Sequence, residues 1–333
     1  VADLSAVSSF KVGDVAGINE FRIGGGANTV TNVANDTTFT LYSDTAATQT
    51  ITLADNSAAT SAINVTLDSS TAATKVDIKG AQQNIDTNAH VLNVTSEGMV
   101  LATAGNHNAV TLVGASLNQV TNIIADGDQE LDITTGIATG LTLVDASAAT
   151  EKVLVNATGA TKAMVIKTGD ATDTITTNNI AGTKVDGGDA ADSITLTAGG
   201  NGETVVYTAQ SNSTSTAFDS LTGFRSADGD KIDLTAFSFT GTADDAVTTK
   251  ATTGLTIGTD SVLVAEAQAL NFFADGTAVD RAIAVVDDGT DSWVFVDANK
   301  DGDFSAETDM VIKLVGGADG TSGVAAIGDF NFA

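Results

Sequence analysis

Short runs of β-branched and aliphatic residues recur along this chain, each separated from the next by a cluster of Gly, Asn, Asp, Ser and Ala. The runs include INVTL (63–67), KVDIK (75–79), VLNVT (91–95), VTLVG (110–114), LDITT (131–135), LTLVD (141–145), VLVN (153–156) and MVIK (164–167). Their length, their Val, Ile and Thr content and the turn residues between them predict strands. Taking Ile133, Leu143, Leu154, Ile166, Ile175, Val185 and Ile194 as strand centres gives spacings of 10, 11, 12, 9, 10 and 9. One strand per roughly ten residues predicts stacked solenoid coils, each holding about two strands. GGGANTVTNV (24–33) and FTLYSD (39–44) predict further strands that begin or cap the stack.

One such coil cannot bury its own inward side chains, whereas stacked coils make continuous ladders of Val, Ile and Leu between two thin sheets. No Phe, Tyr or Trp occurs from Ser43 to Val206, as expected of an interior too narrow for rings. A β-sandwich spaces its strands similarly but usually fills its core with large aromatics, so the solenoid is the favoured reading. SVLVAEAQALNFFADG (261–276) predicts a short helix with Leu263, Ala267, Leu270 and Phe273 on one face.

Composition narrows the functional classes. Against 42 acidic side chains stand 14 basic ones, a net charge of −28, which repels nucleic acid and anionic lipid and favours cations as partners. The last 148 residues carry 24 of the acidic and 6 of the basic groups, so cation binding is expected to concentrate there. Cysteine is absent, which removes disulfides, thiolate metal sites and a cysteine nucleophile. No apolar run is long enough for a membrane helix, and Val1-Ala2-Asp3 begins nothing like a signal peptide, so a soluble piece of a longer protein is expected. His90 and His107 are the only histidines, with no His-Glu-x-x-His and no Gly-x-Ser-x-Gly, and both read as solvated turn residues. The chain is therefore expected to be no enzyme.

The motif with the most chemistry lies between Thr168 and Thr195. Gly187-Gly188-Asp189-Ala190-Ala191-Asp192-Ser193-Ile194-Thr195 fits the calcium nonapeptide Gly-Gly-x-Gly-x-Asp-x-(apolar)-x except that Ala190 stands at the third glycine. Asp173 holds the place of Asp192 nineteen residues earlier, in TGDATDTIT (168–176). Six turn residues expose carbonyls and one carboxylate to a hard cation, and the next three form a strand whose apolar member enters the core. Ca2+ takes six to eight oxygen ligands, so Asp170, Asp186 and Asp189 are secondary candidates beside Gly187, Gly188, Asp173 and Asp192.

Downstream, Val206-Tyr207, Asp219-Ser220-Leu221-Thr222-Gly223-Phe224 and Asp230-Lys231-Ile232-Asp233-Leu234 follow a Gly-rich turn. This segment resembles the join between the repeats-in-toxin (RTX) β-roll and the C-terminal region of serralysin-type secreted proteins. The resemblance implies that Asp219, Asp230 and Asp233 are calcium ligands that close the roll. It departs where the family has an Asp before the Val-Tyr strand, for which only Glu203 is available. Trp293 to Leu314 is similar to the family's last hairpin. Within it Asp297, Asn299, Asp301 and Asp303 have the odd-position spacing of a calcium loop, although position twelve is Thr308 rather than Glu. The ending Asp329-Phe330-Asn331-Phe332-Ala333 has the character of an uncleaved type I secretion signal.

These readings give an all-β chain. A Thr/Ala-rich parallel β-solenoid is expected over 1–165, an RTX-like calcium β-roll over 166–210, and a C-terminal capping and secretion region over 211–333. Upstream of the roll the likeness is a general one, to Thr- and Ala-rich S-layer proteins. The expected function is a calcium-binding S-layer subunit of a Gram-negative surface, exported by type I machinery and self-associating into a calcium-dependent lattice. A cell-surface polysaccharide, held through sequence upstream of Val1, is a further expected partner; nucleic acid and membrane insertion are not. An RTX adhesin and the non-catalytic half of a secreted RTX enzyme are the alternatives.

Overall fold

The computed structural model describes residues 2–3, 9–11, 20–23, 27–41, 48–68, 85–98, 107–113, 119–136, 138–199, 201–239, 248–251, 283–287, 290–301, 304–305, 307–317 and 327–332. The predicted strand at 75–79, the predicted helix at 261–276 and Asp303 lie outside them. Among the described residues there is no α-helix, only strands and short 3-10 turns, and hence no helix long and apolar enough to cross a membrane. Contacts divide the chain into two compact units, Val1–Ala171 and Thr172–Ala333.

In the first unit, one sheet runs Ala2–Asp3, Glu20–Ile23, Thr37–Leu41, Ala62–Asp68, Val91–Glu97, Asn122–Gly127, Leu143–Ala149, Val165–Lys167, every pair parallel. The intervening strands pair among themselves. Ser9–Lys11, Asn28–Val33, Gln49–Leu53 and Ile85–Thr87 form one parallel set, and Asn108–Thr111, Leu131–Thr134 and Val153–Asn156 another. A sandwich joins neighbouring strands by hairpins; here each strand pairs with strands one coil away, so the unit is a parallel β-solenoid.

Inward and outward positions alternate along each strand, as the pleat requires. Ile63, Leu92, Ile123, Val144 and Ile166 stand in register across five coils, all fully buried. Each such side chain contributes roughly 1.5–3 kcal/mol of burial, and no coil acquires it without its neighbours. The inward column differs from the expected one at two places. Val144 and the pair Val153 and Val155 face the core, while Leu143 and Leu154 are half-exposed. Consecutive apolar residues in LTLVD and VLVN make the two faces indistinguishable by pattern, and stacking on Ile123 and Ile133 decides between them.

The interior also admits rings, contrary to expectation. Phe21 and Phe39 are fully buried and stack with centroids 5.5 Å apart, and Phe10 lies 5.9 Å from Phe21. Parallel register places identical side chains directly above one another, and flat rings suit that arrangement. Nor are the histidines simply solvated. Half-buried His90 meets Ser61 (Nδ1 to Oγ 2.9 Å), and His107 meets Asp132 (Nε2 to Oδ2 3.2 Å).

In the second unit, from Thr174 to Val206, the coils tighten to three-residue strands joined by turns of six to eight residues. Thr174–Thr176, Ser193–Thr195, Asp219–Thr222 and Met310–Val315 form one parallel series, with Ile175, Ile194, Leu221 and Leu314 inward. Lys184–Asp186, Thr204–Val206, Lys231–Asp233 and Phe330–Asn331 form the other, with Val185, Val205, Ile232 and Phe330 inward. The first series continues into antiparallel pairing of Met310–Val315 with Ser292–Val296 and of that strand with Ile283–Asp287, the predicted final hairpin. Thr248–Ala251 adds parallel to Ile283–Asp287. Large rings gather on one face of this hairpin: Trp293, Phe295 and Phe304 pack with Ala284, Val286 and Val311, and Phe218 meets Trp293 edge-on at 5.1 Å.

Candidate cation site

The turns of the second unit carry most of the acidic residues that the motif singled out, and the register stacks three carboxylates there. Asp173, Asp192 and Asp219 each immediately precede or open a strand of the first series, and they are 1%, 2% and 1% exposed. One hydrogen bond repeats between coils. The Asp173 N–H donates to Asp192 Oδ1 at 2.7 Å, and the Asp192 N–H donates to Asp219 Oδ1 at 2.8 Å. The main chain answers in parallel, Ser193 N–H donating to the Asp173 carbonyl and Ser220 N–H to that of Asp192. A second column stands at the turns of the opposite series. Glu203 N–H donates to Asp230 Oδ1 and Arg225 N–H to Asp230 Oδ2, each at 2.9 Å, while Thr177 Oγ1 donates to Glu203 Oε2 at 3.0 Å.

Each column therefore holds a carboxylate by one oxygen. Asp192 Oδ2 and Glu203 Oε1 are buried and meet no donor in full hydrogen-bond geometry, although the Asn179 and Thr197 N–H groups act on the Glu203 carboxylate. An ionised oxygen in that state is costly, and the proton affinities follow. Burial, then the charges of Asp219, Asp173 and Asp186, pushes Asp192 up to about 9 against the pull of the Asp173 N–H. Burial likewise pushes Glu203 and Asp219 up to about 7 and raises Asp230. The site prefers positive charge, as a proton or as a metal ion.

The glycine positions of the nonapeptide serve this geometry. A Cβ on Gly187 would sit 2.3 Å from Asp192 Oδ2, so only glycine leaves that oxygen its space. Gly188 and Ala190 both adopt φ of +82°, and Asp186 Oδ1 accepts the Gly188 N–H at 3.3 Å. Ala190 thus occupies a left-handed conformation that the motif ordinarily gives to glycine. Ala190→Gly should stabilise the second unit by about 0.5–1 kcal/mol, the relief of strain exceeding the added freedom of the unfolded chain. A higher urea midpoint at unchanged slope would register it; an unchanged or lower midpoint would count against strain at this turn.

The remaining predicted positions scatter. Asp170 is exposed, in the first unit. Asp189 Oδ1 accepts from Asn212 Nδ2 at 2.9 Å, and Asp233 Oδ1 accepts the Thr235 N–H at the start of a 3-10 turn. In the last hairpin, Asp297 Oδ1 and Asn299 Oδ1 both accept from the Asp301 N–H, and Asn299 Nδ2 donates to Asp301 Oδ2. Sequence reasoning missed Asp309, fully buried one place beyond the twelfth loop position. Its Oδ1 takes the Ala298 and Asn299 N–H groups and its Oδ2 that of Ser305, closing the loop from inside. Glu203, which stands where the resemblance asks for Asp, is the buried partner of Asp230. Its signal was its place before the Val-Tyr strand.

Among the described residues, no three His, Asp or Glu side chains gather into a cage for a metal ion. Ca2+ also accepts backbone carbonyl oxygens, so a cage of three carboxylates is not a requirement for holding it. No protein-family model matches this sequence, and no curated protein matches it.

Proposed function

We propose that this chain is a calcium-stabilised structural protein of a bacterial surface, a subunit of an S-layer-type lattice built on a parallel solenoid. The observation that carries this reading is the pair of carboxylate columns, each with a buried oxygen, Asp192 Oδ2 and Glu203 Oε1, that lacks a donor in full hydrogen-bond geometry. Asp192, Asp219 and the 187–192 turn would hold an ion in one column, with Glu203 and Asp230 in the other. Bound there, Ca2+ supplies fixed positive charge and a demand for several oxygens at once. Carboxylates held by a neighbouring coil's N–H bring two coils to the same ion, which suits a structural site. The RTX-like turns and assembly outside the cell belong to the same proposal.

A solenoid coil end exposes unpaired main chain and invites a neighbour, and at a net charge of −28 subunits repel until cations intervene. Millimolar calcium added to the purified chain should yield ordered two-dimensional sheets by electron microscopy, with magnesium giving none. A chain that stays monomeric in calcium while binding saturably to a surface glycan or protein would replace the lattice with an adhesin.

A further inference from the structure

The triplet Asn-x-Ser/Thr, the acceptor pattern for sugar transfer to an asparagine amide, occurs five times, at Asn35, Asn64, Asn93, Asn156 and Asn212. In a chain rich in Asn and Thr the pattern alone decides little, and the structure separates the five. Transfer needs an exposed asparagine whose Nδ2 is not already spent. Asn212 is buried; its Oδ1 takes the Thr208 and Ala209 N–H groups and its Nδ2 donates to Asp189 Oδ1. Asn64 and Asn93 lie within strands, where Asn93 Nδ2 donates to Asn64 Oδ1 at 2.7 Å and Asn64 Nδ2 to the Asp36 carbonyl at 3.0 Å. Asn35 Nδ2 donates to Asp36 Oδ2, and the Thr37 hydroxyl turns away to the Ala34 carbonyl.

Asn156 differs on each count. It ends the strand Val153–Asn156, it is exposed, and its Nδ2 donates to no described residue. Its Oδ1 accepts the Thr158 N–H at 3.2 Å and the Thr158 hydroxyl at 2.7 Å, so the third residue of the triplet already rests on the acceptor amide. The coil fixes this turn. Ala157 and Ala160 are buried, the Ala160 N–H donates to the Ala157 carbonyl at 2.9 Å, and a Cβ on Gly159 would run into the Gly136 carbonyl oxygen. If capping the strand were the whole role, aspartate would accept the same two bonds; the amide adds an uncommitted Nδ2.

We propose that Asn156 is a glycosylation site, taking a sugar on Nδ2 from a glycosyl diphosphate with the Thr158 hydroxyl assisting. In that step C1 of the sugar bonds to Nδ2, the C1–O bond to the diphosphate breaks with its electron pair leaving on that oxygen, and one Nδ2 proton passes to a base of the transferring enzyme. Negative charge gathers on Oδ1 as the proton departs, and both Thr158 donors are aimed there. The diphosphate is carried by a nucleotide or by a lipid; the acceptor chemistry is the same. The site lies in the first unit, apart from the two carboxylate columns, and does not rest on the calcium reading.

Peptide mapping of the protein isolated from its own cells, by mass spectrometry, tests this directly. Sugar should appear on the peptide that holds Asn156, at occupancy about tenfold above each of the other four, the scale on which one hydrogen bond to the reacting group acts. The bare full chain, made in a host without such transferases, should become modified at Asn156 in an extract of those cells. Modification by the soluble fraction with an added nucleotide-linked hexose would mark a nucleotide donor, and modification by the membrane fraction a lipid-linked one. Thr158→Val and Asn156→Asp should each lose the sugar while Thr158→Ser keeps it. Asn156→Asp retains both turn bonds, so its far-UV spectrum should match wild type. A native protein bare at Asn156, modification by neither fraction, or sugar that persists undiminished in Thr158→Val would overturn the proposal and leave the calcium reading untouched.

Discussion

Asp192→Asn is expected to have opposite effects in the absence and presence of calcium: it should stabilise the metal-free second unit and abolish most of its response to the ion. Without metal, wild type must either hold a proton on Asp192 or bury a charge beside Asp219, Asp173 and Asp186. An amide keeps the shape and can still accept the Asp173 N–H, yet carries no charge. With metal, the same substitution removes the oxygen best placed to meet it. Wild type should therefore be loosely folded after chelation and gain cooperative β structure on titration. A site held at 100 times its dissociation constant contributes about 2.7 kcal/mol, so losing it should lower the calcium-saturated melting temperature by several degrees. Far-UV circular dichroism and calorimetry, each with and without calcium, read both halves. Asp128→Asn, an exposed residue of the first unit, is the control. A melting temperature indifferent to calcium in wild type, or an equal loss for Asp192→Asn under both conditions, would defeat the proposal.

The fold was legible in the sequence because a solenoid repeats its own signal. Ile166, Ile175, Val185 and Ile194 are inward at the expected spacing, and the three-residue strands of the roll coincide with the apolar positions of the nonapeptide. Legibility failed where the local pattern does not distinguish the two faces. Leu143 and Leu154 sit beside valines of similar hydrophobicity, and only the coils above and below settle which enters the core. The Phe21–Phe39 stack escaped for a related reason, since rings at separate sequence positions become neighbours only through register.

The site shows the same division. That Asp173, Asp192, Asp219 and Asp230 lie where a strand begins was legible in spacing and resemblance, because each has a fixed offset from an apolar strand residue; that they are buried there was not. Glu203 is a chemical departure at a conventional place. Asp309 depends on which turn folds over it, and no periodicity encodes that. The oxygens of Asp192 and Glu203 that lack a donor in full hydrogen-bond geometry are likewise a property of packing, because the same residues in an exposed turn would be solvated.

Acidification should stabilise the metal-free second unit and weaken its hold on calcium. The sign follows from the raised proton affinities. In the unfolded chain Asp192, Asp219 and Glu203 ionise near pH 4. In the folded unit Glu203 and Asp219 keep their protons to about 7 and Asp192 to about 9. Throughout that window the folded state binds more protons than the unfolded state, so stability is greatest near pH 4 and declines as the pH rises. Melting of the chelated protein should thus occur at higher temperature at pH 5 than at pH 8. General repulsion at −28 acts in the same direction, and Asp128→Asn measures that background. Asp192→Asn combined with Glu203→Gln should flatten the profile beyond it. With calcium the slope should invert, because the ion displaces the protons that acid restores, and apparent affinity should fall from pH 8 to pH 5 with measurable proton release. A chelated protein whose melting temperature is flat or falling between pH 8 and pH 5 would show that these carboxylates are not held apart from water as the two columns imply.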